Sequence, residues 1–168
     1  MEQITDIEEA RNKVLSDMQA LLSQIRSHSE QNITRVDDGA TFLRKLRSTV
    51  YENMNQIQHE FLLLKAMEWL LTQGYKHDDR WEWNPRQTGG IDEPDLRVRK
   101  GDNILLCAEA TTSEKPVGVI DQRMKKTLTK LSEMKGEKFY FVKTDKMKQR
   151  AKTKIENNGW AISVVKIN

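Results

Sequence analysis

The stretch Pro94-Asp95-Leu96-Arg97-Val98-Arg99-Lys100-Gly101-Asp102-Asn103-Ile104-Leu105-Leu106-Cys107-Ala108-Glu109-Ala110-Thr111 decides how this chain is read. Two short runs rich in aliphatic and β-branched residues flank a Lys-Gly-Asp-Asn turn, which predicts a β-hairpin. Asp95 then opens one strand and Glu109 ends the next, so the hairpin sets both carboxylates at the same sheet end. Two such acids repel unless a cation or a proton lies between them. A divalent metal answers that requirement, because Mg²⁺ is held by one or two carboxylates plus waters and phosphate oxygens.

Outward from the hairpin, the chain alternates strand-like and helix-like segments. Upstream, Arg80-Trp81-Glu82-Trp83-Asn84 alternates like a strand, and residues 85–90 read as a loop. Downstream, Pro116 opens a helix expected over 117–134 and stopped by Gly136. Phe139-Tyr140-Phe141-Val142 is a compact apolar strand. A lysine-rich helix follows from about residue 146 to Asn157-Asn158-Gly159, and Trp160-Ala161-Ile162-Ser163-Val164-Val165 makes a last strand.

The N-terminal part reads as helical. From Ile4 a 3,4 spacing runs through Ile7, Arg11, Val14, Met18, Leu21, Ile25 and His28, with no Gly or Pro before Gly39. That predicts an amphipathic helix over 1–37, either a coiled-coil seam or a helix lying along the protein's own body. Asp37-Asp38-Gly39 is the expected break. A second helix then carries Phe42, Leu46, Val50, Ile57 and Leu64 on to Leu71 and ends at Gly74. The expected organisation is an N-terminal helical extension, 1–37, and an α/β body, 38–168.

Composition narrows the function classes. At 168 residues the chain fits one ordinary domain with an appendage, and its low 37% hydrophobic content implies extended, solvated parts. The sequence has no apolar run of membrane-spanning length and no signal peptide, so a cytoplasmic protein is expected. A lone Cys107 rules out an internal disulfide framework, and His28, His59 and His77 are too scattered for a histidine-based metal centre. Residues 115–154 carry thirteen Lys or Arg against four acids, whereas residues 1–30 are acidic. A basic C-terminal half suits a phosphate-bearing partner, or else a solvated lysine-rich surface.

The element order α-β-β-β-α-β, with Pro94-Asp95 leading the second strand and Glu109 closing the third, resembles the PD-(D/E)xK nuclease superfamily. Restriction endonucleases and Holliday junction resolvases belong to it. The resemblance covers about residues 57–143. It implies a restriction-endonuclease-like mixed sheet flanked by helices, and a metal-dependent DNA endonuclease using Mg²⁺ or Mn²⁺. Asp95 and Glu109 would be the metal ligands, with Glu60 on the preceding helix as a third. Gln122 matches a polar position on the helix after the third strand. Thr111 departs from the pattern, since the family's lysine stands there. Some members carry that lysine on the following helix, which nominates Lys125 or Lys126.

Phosphate contacts are expected from Arg86, Lys125, Lys126, Lys130, Lys146 and Lys148. Trp81 and Trp83, at i and i+2, either pack on one sheet face or stack on bases. Cutting both strands with one small chain implies a homo-oligomer, most simply a dimer through the N-terminal helix. The alternative functions are a nuclease-fold module that binds DNA without cleaving it and an adaptor that recruits a protein partner.

Overall fold

The computed structural model describes residues 1–85 and 92–167. Its elements are β1 (Glu2–Ile4), α1 (Ile7–Ser29), α2 (Val36–Thr72), β2 (Arg80–Trp83), β3 (Leu96–Lys100), β4 (Asn103–Thr111), α3 (Val119–Ser132), β5 (Glu137–Val142), α4 (Asp145–Asn158) and β6 (Ser163–Lys166). The six strands form one mixed sheet in chain order. Pairings from β1 to β4 are antiparallel, and β4–β5 and β5–β6 are parallel, with α3 and α4 as the crossovers.

The hairpin forms as its turn chemistry dictates. Lys100 pairs with Asn103 across Gly101, whose φ of 59° suits a residue without a Cβ. Leu96 faces Ala108 at the far end, so Asp95 and Glu109 are the next residues along each strand. Alternation in β4 divides the core. Leu106, Ala108 and Ala110 join Leu62, Leu63, Ala66 and Leu70 of α2 on one face. Cys107 packs on the other face with Met124, Leu128 and Leu131 of α3 and Met147 and Ala151 of α4. The sheet is thus covered by helices on both sides.

The N-terminal region differs from the sequence expectation in three ways. Glu2–Ile4 is a strand, not the start of the helix, and pairs with β2. The following helix starts after Asp6, whose carboxylate accepts from the Glu8 amide at 3.0 Å. The interhelix break falls at residues 30–35, and α2 runs straight through Gly39. That glycine is buried because Ile33 of the connection lies over it; a Cβ there would come within 2.9 Å of Ile33 Cγ2.

α1 and α2 form an antiparallel helical hairpin. Ala10, Val14 and Leu21 are buried in the same core as α2 and the sheet, and His28 meets Phe42 edge to face at 5.5 Å. The apolar stripe read from Ile4 onward therefore packs within the chain. Trp81 and Trp83 are also buried there, the packing alternative of the two read from their spacing.

Gly136, which immediately precedes β5, has φ 78°, and a Cβ on it would lie 2.6 Å from the Leu105 carbonyl oxygen. Backbone overlap of that kind cannot be relieved by a rotamer change. Gly136→Ala is expected to destabilise the protein by about 1–3 kcal/mol from the backbone conformation alone, read as a lower urea midpoint. An unchanged midpoint would contradict this account.

Candidate active site

The carboxyl end of β4 lies where both helical layers reach the sheet edge. A cleft of about 660 Å³ opens there, and Asp95, Glu109, Thr111, Lys126 and Lys130 all line it. Asp95 is placed by the start of β3 and is 6% exposed; Glu109 is equally buried. Asp95 Oδ2 accepts from the Ala110 amide at 2.8 Å and lies 3.2 Å from His59 Nε2. Two partners on one oxygen fix the rotation of that carboxylate. Glu109 is ion-paired to Lys130 of α3, whose ammonium also donates to the Glu93 carbonyl at 3.1 Å.

The electrostatics follow from burial. Desolvation, and then the neighbouring Asp95 charge, push the Glu109 carboxyl up to about 8, against the opposing pull of Lys130. Burial lowers the His59 pKa, but the Asp95 bond, the Asp95 and Glu60 charges and the Pro85 backbone outweigh it, so the net shift is upward. Tyr140, the register partner of Glu109 on β5, is raised by burial and by the same two acids.

Other residues expected in the site lie at varying distances from this centre. Glu60 is 1% exposed, but it turns toward α1, where Lys13 reaches it at 3.0 Å. It lines a separate groove between α1 and α2. His59, its neighbour, occupies the face of α2 that meets the strands. Counting back from Leu70 through Ala66 and Leu63 in steps of three and four lands on His59, which is the signal that identifies it.

Lys126 lines the cleft one helical turn before Lys130, whereas Lys125 and Gln122 are exposed and outside its lining. Thr111 is at the cleft edge, accepting from the Ser113 amide at 3.3 Å. Lys146 sits by Glu114, Lys115 and Thr144 in a shallower depression, and Lys148 is half-buried on α4. Arg86 lies outside the described residues. Among those described, no group of three or more His, Cys, Asp or Glu side chains is arranged to hold a metal. No helix among them is long and apolar enough to cross a membrane.

Glu109 makes stability depend on pH. Its folded pKa lies above the ordinary carboxylate value, so between about 4.5 and 8 the folded state keeps a proton that the unfolded state releases. The stabilisation is complete below that window and is lost as pH rises through it. Glu109→Gln removes the effect, so its melting temperature should gain on the parent's between pH 5 and pH 9. Parallel curves for the two proteins would contradict the assignment. Comparisons with family models, with curated proteins and with solved structures return no match for this chain.

Proposed function

We propose that this chain is a Mg²⁺- or Mn²⁺-dependent endonuclease that hydrolyses DNA phosphodiester bonds on a restriction-endonuclease-like body. The observation that supports this most is the meeting of Asp95 and Glu109, both buried, in a polar cleft that Arg123, Lys126 and Lys130 also line. Their oxygens, with the Ala110 carbonyl at the strand end, are hard donors. Mg²⁺ needs no more than one or two carboxylates from the protein, waters and phosphate oxygens completing its shell. When bound, such an ion supplies Lewis acidity at the scissile phosphate and a nucleophile at neutral pH.

The chain's own groups have separate tasks. His59 and the Ala110 amide hold Asp95 in one orientation. Lys130, beside Glu109, stands in for the lysine absent at Thr111 and stabilises negative charge developing on the phosphate. Lys126 and Arg123, further along the α3 wall, contact the flanking phosphates. Pairing of two copies, needed to cut both strands, has an apolar surface to draw on: Leu15, Leu22, Met54 and Phe61 are exposed on the helical hairpin.

Thr111 favours a second reading, a DNA-binding module that retains the cleft without hydrolysis. Plasmid cleavage separates the two. Asp95→Ala and Glu109→Ala should abolish it while DNA binding persists, and Lys130→Ala should lower the rate about 10²- to 10³-fold. Thr111→Lys should bring no gain, since Lys130 already fills the role. Salt-sensitive binding with no cleavage in the parent protein would establish the second reading. Independently of activity, Mg²⁺ should raise the melting temperature of the parent at pH 8 and leave an Asp95→Asn, Glu109→Gln double variant unmoved. Equal shifts in both would remove these acids as ligands.

A further inference from the structure

The face of α2 that packs on the sheet continues past the sheet's edge. Leu62, Leu63, Ala66 and Leu70 are buried against the strands, and His59 reaches Asp95 at the margin. Toward the N-terminus the same face carries Asn55 and Tyr51, both lining the cleft. The other side of the helix packs there on α1, with Asn53 Nδ2 donating to Gln24 Oε1 at 3.5 Å, and the cleft-lining face turns from aliphatic to amide and aromatic. Tyr51 is 63% exposed, so its ring contributes little to the core. Gln56 lines both the cleft and the α1–α2 groove, and its buried Oε1 has no hydrogen-bond partner among the described residues.

The opposite wall belongs to α3 and is cationic, with Arg123, Lys126 and Lys130. One wall therefore offers an aromatic ring and side-chain amides, the other offers ammonium and guanidinium groups, and the two buried acids line the cleft with them. Phosphates of any nucleic acid would satisfy the α3 wall. The α2 wall asks for more. An exposed ring beside a basic groove is how single-stranded binders gain affinity, because unpaired bases have free faces to stack and free edges to hydrogen-bond. In a duplex those faces are stacked on each other.

Building on the nuclease reading, we propose that this trough binds a single-stranded stretch of nucleic acid. Its phosphates run along α3, one base stacks on Tyr51, and the Asn55 and Gln56 amides meet base edges. The substrate class is then a strand with an unpaired segment at the cleavage point, as in an overhang, a flap or a branch.

Fluorescence anisotropy in EDTA tests this without turnover, using a labelled single-stranded oligonucleotide of mixed sequence and its blunt duplex at equal salt. The single strand should bind about tenfold tighter than the duplex. Tyr51→Ala should lose about five- to tenfold of single-strand affinity, and Tyr51→Phe should keep it. Position 51 is an exposed helical site, so alanine there does not threaten folding. A duplex bound as tightly as the single strand, or Tyr51→Ala binding like the parent, overturns the inference. If Mg²⁺-dependent cleavage is present in that case, the nuclease reading stands without it. Failure of both probes to bind at low salt overturns both together.

Discussion

Two carboxylates held side by side at the end of one hairpin are the constraint to which the rest of the site responds. The pairing of β3 with β4 leaves Asp95 and Glu109 no freedom to separate, since each is the next residue beyond the facing pair Leu96 and Ala108. Burial deepens the conflict, because water is not there to screen it. Three groups answer it from three directions: His59 from α2, the Ala110 amide from β4 itself, and Lys130 from α3. Burial and the Asp95 charge also raise the Glu109 pKa, which favours its protonated form.

The two helical layers have unequal roles around this centre. α3 brings cations, and its buried side is aliphatic: Met124, Leu128 and Leu131 hold it against β4 and β5. α2 changes character along its length, aliphatic where it covers the sheet and polar where it runs beyond. A helix of 37 residues is longer than the sheet requires; Tyr51 and Asn55 in its middle line the cleft, and Phe42 nearer its start packs on His28 of α1. Length alone turns a structural element into a wall of the cleft.

Much of this was legible in the chain, and for identifiable reasons. The hairpin announced itself through aliphatic runs around Gly101, and the later helices and strands through punctuation at Gly136 and Gly159. These signals are local. What escaped was set by partners distant in sequence. Glu2–Ile4 is short and polar, and its strand character comes from β2, so Ile4 fitted equally well into a helical stripe. Gly39 reads as a helix breaker but serves the close approach of Ile33. Glu60 and His59 are adjacent, and only the orientation of α2 on the sheet decides which meets Asp95. Lys126 and Lys130 share a helical face, so the choice between them rests on how far α3 runs past the end of β4.

The edge strand β1 has a kinetic implication. Its partner β2 lies beyond two whole helices, so the ladder between them closes one of the longest loops in the chain. Loop-closure entropy makes such a pairing late, after local helices and the central hairpin have formed. Until it docks, one side of Arg80–Trp83 carries unpaired amides and carbonyls next to two tryptophans, a template for other strands. Self-association during refolding should therefore originate at this margin until the first few residues cover it.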